Sequence, residues 1–209
     1  MSTGFYDFCP KYFMAVASLL MIIADSIDCV PIRRSEFAFL KQNILNESAG
    51  IDMKFCLVDR ITSLVPGQNI STIKHVSLAE EYLQDHFPGF SVLPGVMMVE
   101  CLVQSCAWLS RVTDDFQYSA ILLKQARAVK FNNFLKPGQT LEVTATMKSA
   151  DTNTAEFVAT GTVGGLSAVS AKLTLSKENL ATRNPKLADN DARLIASMKE
   201  LFQQMRSFE

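Results

Sequence analysis

At 209 residues the chain is long enough to bury a sizeable core in one domain, with room for appendages. Its 20 basic and 21 acidic side chains leave a net charge of -1, and no array of basic and aromatic residues is present, which excludes a nucleic-acid-binding protein. The five cysteines (Cys9, Cys29, Cys56, Cys101, Cys106) show no C-x-x-C spacing, and only two histidines accompany them; this predicts reduced thiols, a cytoplasmic location, and neither a metal site nor another cofactor.

Taken from the N-terminus, residues 1–52 read as an appendage. Tyr12 to Ala24 form an apolar run of 13 residues after Lys11, too short for a membrane span of about 20. A signal-peptide core, a helix packed on the domain, and translation starting at Met53 are the alternatives, although no basic start or A-x-A cleavage site supports the first. Strands are expected near 55–63 and 68–77. A helix is expected over 95–112, where Val96 to Leu109 is apolar nearly all round, the mark of a buried helix. Pro94 suits its first turn, where the missing N–H costs nothing, and Gly95 lets another group approach the backbone.

Strands follow near 119–132, 139–149, 154–163 and 167–176. Leu141, Val143, Ala145 and Met147 alternate with Glu142, Thr144, Thr146 and Lys148, so one face is buried. Ala171, Leu173 and Leu175 repeat the pattern, and Gly164-Gly165 reads as the hairpin turn between the last two strands. From Ala192 onward, Leu194, Ile195, Met198, Leu201, Phe202 and Met205 recur at helical spacing, with Asp189, Asn190 or Asp191 as the opening cap. This amphipathic helix packs on its own domain or dimer, or else binds a partner. Strands on both sides of one buried helix give an α+β fold with an antiparallel sheet, in a domain of 53–177 followed by a linker and helix over 178–209.

The chemistry concentrates in the loop entering the central helix. His86 lies there with Pro88, Gly89, Pro94 and Gly95, and Glu100 follows 14 positions later inside the apolar helix. A histidine titrates near neutral pH, and a desolvated carboxyl is held protonated, so the two supply a base and an acid. Glu100, Gln104 and Arg111 share one line along the helix. The unpaired N–H groups near Gly95 and Val96 are placed to hold an oxyanion. Gly161-x-x-Gly164-Gly165 lacks the spacing of a dinucleotide loop, and no G-x-S-x-G elbow exists. His75, in an alternating strand, reads as structural. Arg127, Lys130 and Lys136 form either a basic patch for an acidic partner or a solvated strand face.

These residues resemble a family. His86-Phe87-Pro88-Gly89, Pro94-Gly95-Val96 and Glu100-x-x-x-Gln104 are similar to the active-site segment of FabZ-type beta-hydroxyacyl-[acyl-carrier-protein] dehydratases. Leu57-Val58-Asp59-Arg60-Ile61 with Pro66-Gly67 resembles the family's first strand and turn. Ile73-Lys74-His75-Val76-Ser77 resembles its second strand, with His75 where asparagine is usual. Lys130-Phe131 and Leu135-Lys136-Pro137-Gly138 resemble a later strand and turn, so the likeness runs from about Phe55 to about Leu175. It implies a hot-dog fold, in which a curved antiparallel sheet wraps a long central helix. It also implies a homodimer or higher homo-oligomer, with an acyl tunnel at the subunit interface.

By the same resemblance, His86 works at the alpha carbon of the thioester and Glu100 handles the departing beta-hydroxyl. The Gly95 N–H polarises the thioester carbonyl, and Gln104 supports from behind. Met97, Met98 and Trp108 are candidates to close the tunnel. Ser91, Asn132, Asn133 and Gln139 stand where the family carries proline, basic and acidic residues. The segment that brings a gating tyrosine in many members is absent before Phe55. The implied activity is dehydration of beta-hydroxyacyl thioesters on acyl carrier protein to trans-2-enoyl thioesters, in fatty-acid or related lipid synthesis. The alternatives are a hot-dog acyl-thioesterase and a non-catalytic hot-dog protein that binds acyl chains or partners.

Overall fold

A computed structural model describes residues 56–80, 82–85 and 89–206. The N-terminal appendage, with its apolar run and Met53, lies outside them, as do Cys9 and Cys29.

Six strands, β1 (Arg60–Val65), β2 (Asn69–His75), β3 (Ala120–Phe131), β4 (Thr140–Ala150), β5 (Thr154–Val163) and β6 (Leu166–Glu178), make one antiparallel sheet in the order β1-β2-β4-β5-β6-β3. A four-residue helix, α1 (Tyr82–Asp85), precedes the long α2 (Gly95–Thr113). The C-terminal α3 (Ala188–Arg206) follows two single turns of tight helix, Leu180–Thr182 and Pro185–Leu187. The sheet curls around α2, which packs against β2, β3, β4, β5 and β6. This is the hot-dog arrangement. Thirteen of the 19 residues of α2 are buried, because an all-round apolar helix leaves no face for water. Leu141, Val143, Ala145, Phe157, Leu173 and Leu175 meet it from the concave side of the sheet.

Alternation places these strands well, since a period of two commits one whole face to the core. Gly164 and Gly165 both have positive φ (57° and 79°), and Val163 pairs with Leu166 across them. That two-residue turn matches the strand twist and needs residues tolerant of the left-handed region.

Two elements differ from expectation. The first strand starts at Arg60 rather than near 55: the Asp59 N–H still bonds the Ile73 carbonyl of β2 (2.9 Å), but the chain before it answers to the helix. Leu57 and Val58 are consecutive and both 2% exposed, which a one-sided strand does not allow, and the Leu57 N–H is donated to Gln104 on α2. The C-terminal helix begins at Ala188, four residues earlier than Ala192. Asp191 therefore sits inside its first turn rather than at its cap. It is buried and accepts hydrogen bonds from the Ser119 hydroxyl and from the Leu180 and Ala181 N–H groups (2.9 and 2.8 Å). Burial opposes its charge, but those three donors win and hold its pKa below the ordinary value. α3 packs on the domain through Met198, Phe202 and Met205, with Phe202 stacked on Trp108 of α2 at 6.1 Å. No helix among the described residues is long and apolar enough to cross a membrane.

Candidate active site

Glu100 lies in the second turn of α2, and Gln104 one turn further along the same face. The Gln104 amide donates to Glu100 Oε1 at 3.0 Å, while its own Oε1 accepts the Leu57 N–H at 2.8 Å. The second bond fixes which end of the amide faces the carboxyl: with its oxygen engaged by the backbone, Gln104 presents its NH2 group to Glu100. Glu100 keeps partial exposure, yet protein crowds its carboxyl and no cation is paired with it among the described residues. Burial lifts its pKa from 4.5 to about 7, with the Gln104 donor pulling the other way. Near neutral pH such a carboxyl can give a proton and take it back.

Pro94 stands at the N-cap, and its carbonyl receives both the Met97 and Met98 N–H groups (2.9 and 3.1 Å). The Gly95 and Val96 N–H groups at the helix start have no acceptor among the described residues, as first-turn donors of a helix require. The Phe131 ring lies against Gly95: a Cβ there would stand 3.0 Å from Phe131 Cε1, so a larger residue fits only if that ring gives way. The loop ahead of the helix is fixed on its exit side, where Val92 and Leu93 are buried and the Leu93 N–H bonds the Leu135 carbonyl at 2.8 Å. His86, with Phe87 and Pro88, lies outside the described residues, so its place opposite Glu100 is an expectation that rests on sequence.

Arg111 does not join the Glu100–Gln104 pair. It is buried at the far end of α2, with its guanidinium 5.4 Å from the Trp108 ring and its Nε without a partner among the described residues; burial pushes its pKa down to about 10. Met97, Met98 and Trp108 are buried too, Trp108 under Phe202. The His75 ring meets the Thr140 hydroxyl at 2.7 Å, at the sheet surface, in keeping with a structural role. Burial raises the thiol pKa of Cys56, Cys101 and Cys106, which are free and stay protonated. Among the described residues no three His, Cys, Asp or Glu side chains group around a metal position.

Arg127 and Lys130 are exposed on β3, and the register sets Arg127 directly against exposed Lys172 of β6, a residue the sequence pattern did not single out. Like charges facing each other across strands repel, so this face favours anions. Lys136 stands apart, its ammonium 5.3 Å from the Phe90 ring, which is edge-on to Phe134 at 5.7 Å.

The chain matches the model of the ApeI-like family, described as ApeI dehydratase, over residues 63–170. It is 38% identical to the 3-hydroxyacyl-[acyl-carrier-protein] dehydratase FabZ of Oenococcus oeni over 117 residues, 56% of this chain and 84% of that protein. The FabZ of Levilactobacillus brevis is 35% identical over 117 residues, 56% of this chain and 79% of its own. Among solved structures, the dehydratase heterocomplex ApeI:P from Xenorhabdus doucetiae aligns with a TM-score of 0.54 at 17% identity, over 64% of this chain and 90% of that one. At that identity the likeness speaks for the fold.

Proposed function

We propose, from the premise that this chain belongs to the ApeI-like family of dehydratases, that it removes water from beta-hydroxyacyl thioesters carried on acyl carrier protein. The product is the trans-2-enoyl thioester, and the reaction makes the protein a hydro-lyase. The observation that carries this reading is the carboxyl of Glu100, held by burial at a pKa of about 7 beside a helix start whose first N–H groups have no acceptor among the described residues. Fatty-acid or related lipid synthesis is the setting, in the cytoplasm.

In the proposed reaction His86 takes the proton from the alpha carbon. The C–H electron pair moves onto the thioester carbonyl, and the Gly95 N–H stabilises the negative oxygen that forms. As those electrons return to make the alpha–beta double bond, the beta C–O bond breaks. Protonated Glu100 gives its proton to the departing hydroxyl, which leaves as water. Gln104 holds the carboxyl in place through its own anchor on Leu57. The elimination is redox-neutral and calls for no cofactor. Proton transfer from His86 back to Glu100, through solvent, resets the site.

The chemistry falls within residues 53–177, with 1–52 and 178–209 as non-catalytic additions. Arg127, Lys130 and Lys172 form the basic ground on which an acidic carrier protein would dock, with Lys136 standing apart from it. The protein works as a homodimer in which His86 of one subunit serves Glu100 of its partner.

The test is to incubate the protein with beta-hydroxyacyl carrier protein and weigh the products. Loss of one water with the thioester intact is expected. Release of the free hydroxy acid would make it a thioesterase, and recovery of unchanged but bound substrate would make it a binder. His86→Ala and Glu100→Gln should each lower turnover by about 10²–10⁴ while leaving the protein folded.

A further inference from the structure

A buried lysine holds the chain that leads from β2 toward α1. Lys74 of β2 is 6% exposed, and its ammonium contacts Glu80 Oε1 at 2.9 Å and Asp59 Oδ1 at 3.4 Å. Asp59 accepts the His75 N–H at 2.6 Å with its other oxygen, which ties the lead-in of β1 to β2. Glu80 lies six residues before His86 in the sequence. Its carbonyl accepts the Leu83 N–H at 3.1 Å, and Tyr82 and Leu83 of α1 are buried at 4% and 2% exposure. The segment therefore leaves the core at a fixed point, just as the Leu93 N–H fixes its return.

The other half of the site is packed into the same core: the buried Cys101 that follows Glu100 on α2 lies in one hydrophobic cluster with Tyr82 and Leu83 of α1. Burial opposes the charge on Lys74, but Glu80 and Asp59 more than offset it, so the ammonium persists across the neutral range. Net stability is a poor reason for such a cluster. A well-packed apolar set of similar volume often holds a fold as well or better, whereas directional ionic contacts set a position.

We infer that Lys74 and Glu80 are positioning residues: their ion pair, braced by Asp59, sets where the chain departs for His86 relative to the helix turn that holds Glu100. This rests on the role proposed for His86. The pair touches no substrate and acts through the loop. Misplacing a catalytic group by about an ångström can cost on the order of a hundredfold in rate, so the pair should be read in turnover rather than in binding.

The test compares Glu80→Gln, which keeps shape and removes charge, with Lys74→Met, each assayed well below its own melting temperature. Imidazole nitrogen NMR accompanies the assay. The chain has only two histidines, so His75→Gln assigns the His86 signals by difference. We expect Glu80→Gln to lower kcat by about tenfold to a hundredfold with KM within about twofold, and to shift or broaden the His86 ring signals. A wild-type kcat, or a reduced kcat with unmoved His86 signals, would overturn the inference even if melting fell. Should Lys74→Met not fold, Glu80→Gln decides alone. His86→Ala is the control. If it turns over normally, the role of His86 is wrong; if it is dead while Glu80→Gln is normal, only the anchor is wrong.

Discussion

A single carboxyl, Glu100, carries the acid half of the proposed reaction, and its surroundings make its behaviour with pH calculable in sign. Its folded pKa of about 7 lies above the ordinary 4.5, so between those values the folded state holds the proton more tightly than the unfolded chain. Stability from this group is present below about pH 4.5 and is lost as pH rises through about 7. At 1.36 kcal/mol per unit the full effect is about 3 kcal/mol, an upper figure because the side chain keeps some contact with water. Glu100→Gln should remove this loss, so that chemical denaturation finds it more stable than wild type above neutral pH and no more stable under acid conditions. Catalysis with a protonated acid should fall on the alkaline side of about pH 7. Gln104→Leu removes a donor to the charged form, so the alkaline limb of kcat/KM should move up; a limb that stayed put or moved down would show that Gln104 does not govern the carboxyl. The pairing of Glu100 with Gln104 was legible in the sequence, since four positions are one helical turn. The third partner was not. The Leu57 N–H lies 47 residues from Gln104, and a backbone donor leaves no trace in residue identity.

α3 shows how tertiary contacts settle what local pattern leaves open. Its apolar stripe at helical spacing announced a helix, and the stripe alone fits packing on the domain as well as a partner. The structure seats it on Trp108 and Phe116, with Phe202 between them. Phe116 follows α2 with a positive φ of 57°, a conformation costly for an aromatic residue, and is held by its N–H to the Arg111 carbonyl (2.7 Å) and by its ring against Phe202 (5.6 Å). Phe202→Ala should therefore destabilise by about 3–5 kcal/mol in a denaturant titration, the range for a buried phenylalanine. A change under about 1 kcal/mol would mean that α3 is not integral to the fold. The strands were placed by alternation, but their irregularities were not. β3 slips register between Arg127 and Lys130, with Ala128 at a positive φ of 50°. Bulges insert residues without changing composition, so alternation alone does not announce them.

Across the whole molecule, a sheet curled around a buried helix was readable because periods of two and of nearly four are written locally along the chain. Which surfaces meet a second copy is not written that way. β3 ends the sheet, and its outer edge has no strand partner among the described residues, which leaves it open to another chain. If the dimer shares its sites as proposed, two inactive variants should repair each other. Subunit exchange between His86→Ala and Glu100→Gln proteins should yield heterodimers with one intact site, restoring roughly half of wild-type activity per heterodimer by symmetry. Heterodimers as inactive as their parents would place both groups in one subunit. The elimination itself is tested most directly in reverse, by giving the wild-type protein a trans-2-enoyl carrier-protein thioester in water labelled with heavy oxygen. The account predicts label in the beta-hydroxyl of a product still joined to its carrier, and none with Glu100→Gln. Label in a released carboxylate, or an unlabelled thioester from wild-type protein, would contradict it.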